Sequence, residues 1–104
     1  LIRPALYQGH HEIVPLNNES EQTQVVDIVG PICESGDFFA QNRELPLLQE
    51  GDHIALLSAG AYGFVMASNY NSRAFPAEIM VSGNTHQVVR KRQNYEDLIM
   101  GETL

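Results

Sequence analysis

The run from residue 23 to 33 limits the fold more than any other stretch. It reads Thr-Gln-Val-Val-Asp-Ile-Val-Gly-Pro-Ile-Cys. β-branched and apolar residues dominate it, and Gly30-Pro31 closes it, which predicts a strand followed by a turn. The only cysteine of the chain, Cys33, falls at the end of that run. Glu34 follows directly, and then Ser35-Gly36-Asp37 turns the chain. A thiol and a carboxylate are thereby expected at a rim and not in a core.

The same punctuation recurs along the chain. Residues 11–16 read as a strand that Pro15 confines to an edge. Residues 53–58 read as a strand of buried character. Residues 77–81 and 85–92 flank Ser82-Gly83-Asn84, a hairpin signal because glycine and asparagine tolerate positive φ. Phe38-Phe39-Ala40 predicts a short strand or a helical turn, and residues 41–50, with Pro46 inside, predict a loop. Residues 17–22 are polar and loop-like. Residues 59–63 are too rich in glycine for a stable element and are expected at a strand end where backbone approaches something closely. Residues 64–70 fit a short helix or irregular chain. Pro4 favours an extended entry, after which the Ala5-Leu6-Tyr7 segment can turn helically. Asn94 reads as the N-cap of a short helix with Glu96 and Asp97 in its first turn, ended by Gly101. Strands at regular spacing, with turns between them, predict an all-β sandwich or barrel with short helical segments, one near the C-terminus.

Composition narrows the function classes. A chain of 104 residues is one domain at most, 1–104, and 43% apolar content is that of a globular protein. A net charge of −7 argues against a non-specific nucleic-acid binder. One cysteine makes no internal disulfide, which fits a reducing, cytoplasmic setting. Residues 54–72 carry no charge, yet they include Gly60, Gly63, Asn69 and Asn71. A membrane span needs about 20 mostly apolar residues, so no membrane partner is expected. Arg43 is the only base between Pro4 and Ser72, whereas Arg90-Lys91-Arg92 form a run. That run reads as a solvated strand end or as a docking surface for a partner domain. The chain begins at Leu1 inside an apolar phrase, as a fragment of something longer would.

Several residues carry possible chemistry, each with a plainer reading beside it. Cys33 is by default a small buried hydrophobe; the other reading is a reactive thiol. A carboxylate beside a thiol disfavours the thiolate, which suits a proton donor more than a nucleophile if Cys33 and Glu34 share a site. Glu34 and Asp37 are either turn carboxylates or, for Glu34, a binder of a cationic group. Tyr62, between Ala61 and Gly63, either fills a core gap or reaches a ligand oxygen. Arg3 and Tyr7 are spaced by four, so one side of a helical turn carries both, and together they can clamp a carboxylate. His10 and His11 are adjacent and point apart; with His53 and His86 isolated, zinc has little support. No Ser-His-Asp order, phosphate loop or dinucleotide fingerprint is present.

Five motifs occur together in register: Arg3-Pro4-Ala5-Leu6-Tyr7, the segment from Gly30-Pro31 through Cys33-Glu34 to Asp37, Ala59-Gly60-Ala61-Tyr62-Gly63, Ser68-Asn69-Tyr70-Asn71-Ser72-Arg73, and Tyr95-Glu96-Asp97-Leu98. In this order the chain resembles the C-terminal domain of diaminopimelate decarboxylases, in the fold-type III family that depends on pyridoxal phosphate. The resemblance implies a Greek-key β domain, like that of alanine racemase, attached to a (β/α)8 barrel. It implies loss of CO2 from meso-diaminopimelate to give L-lysine, in lysine biosynthesis. Carried over by position, Cys33 would be the proton donor, Glu34 would bind the distal ammonium, Arg3 the distal carboxylate with Tyr7 assisting, and Tyr62 would lie against cofactor and substrate. Cys33 and Glu34 would enter the active site of the other subunit of a homodimer. The lysine that holds the cofactor, its phosphate-binding loop and the barrel find no counterpart in these residues and are expected upstream, so this chain alone is expected to be inactive.

Two other readings stay open. Related ornithine and arginine decarboxylases carry aspartate after the cysteine, where this chain has Glu34. A non-catalytic β module for binding or dimerisation, with Phe38, Phe39 and Tyr70 as contacts, is the third reading.

Overall fold

The computed structural model describes residues 2–17 and 20–103. The chain divides into two compact units, Leu1–Ala67 and Ser68–Leu104. The first contains α1 (Arg3–Tyr7), β1 (Ile13–Pro15), β2 (Thr23–Val29), β3 (Phe38–Pro46), β4 (Ile54–Leu56) and α2 (Gly60–Gly63). β2 pairs with β3 and β1 with β4, both antiparallel. Pro4 starts α1, where its missing N–H costs nothing. Gln8 ends it in a left-handed conformation, and the Gly9 N–H returns to the Arg3 carbonyl at 3.1 Å.

β3 corrects the expected loop over residues 41–50: it is a nine-residue strand. Its middle, Gln41-Asn42-Arg43-Glu44, has loop-like composition because its outer face is solvated. Arg43 and Glu44 nevertheless stand opposite Val26 and Val25. Between the pairs Ile28–Ala40 and Val26–Arg43, two steps along β2 match three along β3, so β3 carries a bulge. Asn42 takes φ 50° there, and its N–H donates to Asp27 Oδ1 at 2.8 Å. The extra residue resets the side-chain alternation, so that Ala40 and Leu45, five residues apart, are both buried. Pro46 sits at the last position, where a ladder donor is dispensable.

Other boundaries shift for local reasons. β2 stops at Val29, short of Cys33, because Pro31 has no N–H for a ladder. β1 begins at Ile13 rather than at residue 11. Residues 59–63 form a single helical turn, α2, closed by the Gly63 N–H on the Ala59 carbonyl at 2.7 Å. Over one turn the glycine penalty is small. The loop expected over residues 17–22 includes positions 18 and 19, which lie outside the described residues.

The core of this unit is small. Ile13 and Leu45 are 2% and 4% exposed and meet Ala40. Val26, Ile28, Phe39, Leu48, Ile54 and Leu56 pack around them. β2 alternates strictly between half-buried and exposed positions, so Val25 and Val29 face out.

The second unit contains a 3-10 turn (Tyr70–Ser72), β5 (Glu78–Ser82), β6 (Thr85–Arg90) and α3 (Tyr95–Leu98). β5 and β6 form the expected hairpin. Positive φ occurs at Gly83 and not at Asn84, the pattern of a II′ turn. Glu78 and Arg90 close the open end with an ion pair at 2.9 Å. Asn94 caps α3 as expected, and its own N–H returns to the Asp97 carboxylate in a capping box. The Gln93 amide oxygen accepts from Phe75 N and from Asn69 Nδ2, both at 2.8 Å, which ties residues 69–75 to the foot of β6.

The chain is strand-rich with short helices. Among the described residues the strands form three two-stranded sheets and none closes into a barrel.

In the intact protein, Ile13→Ala is expected to cost about 2–4 kcal/mol of stability. Val25→Ala, at a position 66% exposed, is expected to cost less than about 0.5 kcal/mol. Urea unfolding of the two variants measures the contrast.

Candidate functional site

Two features of the first unit gather the candidate residues: a turn that presents Cys33 and Glu34, and a cluster around Arg3.

The turn is organised from within by Asp37. Its carbonyl accepts from Gly30 N at 2.9 Å, and its Oδ2 accepts from Ile32 N at 2.7 Å. A Cβ built at Gly30 would overlap the Asp37 carboxylate, so only glycine lets the carboxylate reach the Ile32 amide. The Asp37 N–H donates to the Glu34 carbonyl at 3.0 Å. Asp37 is therefore the turn carboxylate that its position predicts. Glu34 is exposed and accepts from Gly36 N at 3.1 Å through Oε1. Cys33 is exposed, which overturns the buried-hydrophobe reading. It lies on the turn itself, four residues past the end of β2.

The turn adjoins α1. A Cβ at Gly36 would sit 3.4 Å from that of Ala5, an ordinary contact distance. From α1, Arg3 and Tyr7 project one helical turn apart. The Arg3 guanidinium carbon lies 4.8 Å from the centre of the Tyr62 ring, a cation–π contact. Tyr62, on α2, is 43% exposed, so it stands at a rim and does not fill a core gap. The Tyr7 hydroxyl lies 3.8 Å from the Met66 sulfur. The structure thus brings Arg3 and Tyr62 into contact, and places Glu34 and Cys33 on a turn packed beside the same short helix.

His11 was not singled out as a site residue by the sequence. It points away from exposed His10 as expected, but into the interior, and is 1% exposed. Its Nε2 lies 3.3 Å from Arg3 Nη1 and its Nδ1 lies 2.9 Å from the Leu57 carbonyl. The available signal was the buried–exposed–buried alternation of His11, Glu12 and Ile13, which puts the imidazole on the face that Ile13 buries. Arg43, on β3, holds this segment from the other side, donating to the His11 carbonyl at 2.8 Å and meeting His10 Nδ1 at 3.2 Å.

Among the described residues, no group of three or more His, Cys, Asp or Glu could hold a metal ion, and no helix is long and apolar enough to cross a membrane. Chemically, the Arg3 cluster offers a guanidinium and two phenols, and the turn offers a thiol and a carboxylate.

If Asp37 shapes the turn through Gly30, the two residues must be energetically coupled. Gly30→Ala and Asp37→Ala are each expected to destabilise by about 1–3 kcal/mol. The double variant is expected to lose at least about 0.5 kcal/mol less than their sum, because removing the carboxylate relieves the overlap. Urea unfolding of the three variants completes the cycle.

Comparison with known proteins bears on what this rim serves. The family model for the pyridoxal-dependent decarboxylase C-terminal sheet domain matches residues 1–60. The chain is 53% identical to a diaminopimelate decarboxylase of Zymomonas mobilis over 98% of its own length and 24% of that protein's. It is 48% identical to the diaminopimelate decarboxylase of Aquifex aeolicus, over 95% of this chain and 24% of that one. A solved diaminopimelate decarboxylase from M. jannaschii, in complex with L-lysine, superposes with a TM-score of 0.92 at 38% identity, covering 100% of this chain and 24% of the other. The chain thus spans about a quarter of the length of the curated relatives it matches. It belongs to the pyridoxal-dependent decarboxylase family, and its first 60 residues correspond to the C-terminal sheet domain that those enzymes share.

Proposed function

We propose that this chain is the C-terminal domain, residues 1–104, of a cytoplasmic decarboxylase that converts meso-2,6-diaminopimelate to L-lysine and CO2. The observation that carries this reading is Arg3. Its guanidinium is held at an exposed rim between Tyr62 and His11, and a guanidinium fork is the side chain best matched to a carboxylate. The end of diaminopimelate that survives the reaction carries both a carboxylate and an ammonium. Arg3 would take the first, with Tyr7 assisting, and Glu34 of the partner subunit the second. Ornithine has no carboxylate at its far end and gives Arg3 nothing to bind. The similarity to enzymes named for diaminopimelate, at about half identity along nearly the whole chain, supports the same substrate.

The reaction breaks the bond from the D-centre carbon to its carboxylate and leaves the bonding pair on that carbon. Pyridoxal phosphate, when bound, supplies the electron sink that makes this possible. The residues of this chain fit a group that they touch and do not tether. Tyr62 has a half-exposed ring that would lie against it. The tethering amine and the phosphate contacts would belong to the barrel of the whole protein. Cys33 would give its thiol proton to the carbon, and solvent would return a proton to the sulfur. Its exposed place on a braced turn suits a group that must reach a site outside its own fold.

In this reading the working unit is a homodimer, with Cys33 and Glu34 entering the partner subunit's active site. The strand pairs would complete a Greek-key β domain with further segments of the whole protein.

In the full-length protein with cofactor bound, Cys33→Ala is expected to lower kcat by about 10²–10⁴-fold and to leave the dimer intact by sedimentation. Loss of the dimer would give Cys33 a structural role instead. Mixing Cys33→Ala subunits with Arg3→Ala subunits, each impaired alone at low substrate, is expected to raise CO2 release above that of either variant, because Arg3 serves its own subunit's site and Cys33 the partner's, so one site in each mixed dimer is then whole. No recovery from exchanged dimers would place both residues in the same subunit's site.

A further inference from the structure

We propose that His11 is a positioning residue that aims the Arg3 guanidinium at the substrate; this rests on the assignment of Arg3 to the distal carboxylate. Arginine has only donors, so in the 3.3 Å contact the His11 Nε2 accepts from Arg3 Nη1. The ring proton then sits on Nδ1, where it donates to the Leu57 carbonyl at 2.9 Å. Both ring nitrogens are used, and the ring is 1% exposed, so its orientation is fixed on both sides. The carbonyl it holds lies just past β4, and Leu57 N returns to the Glu12 carbonyl at 2.8 Å. Arg43 fixes the His11 backbone from β3. The acceptor that meets Arg3 is thus anchored to two strands.

Arg3 itself sits on a five-residue helix near the start of the chain, a poor platform for a long, flexible side chain. Two neighbours confine it and a third leaves it space. His11 takes one nitrogen, Tyr62 covers one face of the guanidinium, and Gly9 leaves room where a Cβ would lie 3.3 Å from the guanidinium carbon. A neutral acceptor is the suitable partner. A carboxylate at position 11 would neutralise the guanidinium and compete with the substrate. The imidazole instead orients it and leaves its full charge for the ligand.

The test uses the full-length enzyme with pyridoxal phosphate bound, and reads KM and kcat for meso-diaminopimelate. His11→Asn keeps a donor near the Leu57 carbonyl but cannot reach Arg3. It is expected to raise KM about tenfold, the loss of one oriented charge-assisted contact, with kcat changed less than about threefold. His11→Gln, whose amide oxygen can occupy the place of Nε2, is expected to stay within about threefold of the parent KM. In an Arg3→Ala background, His11→Asn is expected to add no further increase. Should His11→Asn fail to fold, His11→Leu, which fills the space and offers no acceptor, takes its place in the cycle. An increase of the same size with and without Arg3, or equal losses in the asparagine and glutamine variants, overturns the positioning role and leaves the proposed substrate untouched. An Arg3→Ala enzyme with parental KM removes the assignment of Arg3 itself, and the role of His11 with it.

Discussion

The bulge in β3 decides what the first unit can be. Without the extra residue between Ala40 and Arg43, the side chains beyond it would face the opposite way, and Leu45 would point to solvent. With it, one strand delivers both Ala40 and Leu45 to Ile13. The same hairpin carries the turn of residues 30–37 at its other end, so the register that builds the core also sets where Cys33 and Glu34 emerge. Among the described residues the buried hydrophobic cluster holds three side chains, which gives little margin, and much of the ordering falls to polar contacts. Asp27 accepts from Asn42 at the bulge, Asp37 accepts from Ile32 in the turn, and Arg43 clamps the His11 backbone.

Those polar contacts share a logic that joins stability to function. Each ties a backbone amide or carbonyl to a side chain of the same unit. Two of them end close to a residue of the candidate site. Asp37 braces the thiol turn, and the segment that Arg43 clamps carries the imidazole that meets Arg3. The second unit works on the same terms with even less burial. Ile79, Val81, Val88 and Met100 are exposed, while Gln93 and the Asn94–Asp97 box secure the local chain. A structure of this kind presents a thiol and a carboxylate on a braced turn at its surface.

Much of this was legible because turns and caps are coded by single residues. Gly30-Pro31, Ser82-Gly83-Asn84 and Asn94 each act through the chemistry of one or two side chains, and the structure uses them as expected, whereas Arg3-Pro4, expected as an extended entry, already lies inside α1. β3 was not legible. Its central residues are polar because they face water on a two-stranded sheet, and the bulge interrupts the period of two that would have identified a strand. The contact of Arg3 with Tyr62 joins residues 59 positions apart, and no local pattern encodes it. Cys33 and Glu34 were recognisable as a rim pair from their turn alone. The part played by His11 was hidden, because a histidine beside an exposed histidine reads as surface until the alternation with Ile13 is noticed.

The central claim is that this rim serves a diaminopimelate decarboxylase. CO2 release by the full-length protein with pyridoxal phosphate, from meso-diaminopimelate and from ornithine side by side, tests it most directly. Release from diaminopimelate and none from ornithine is the predicted result, since only the former offers Arg3 a carboxylate. Comparable release from ornithine, or release from neither with cofactor bound, would contradict it.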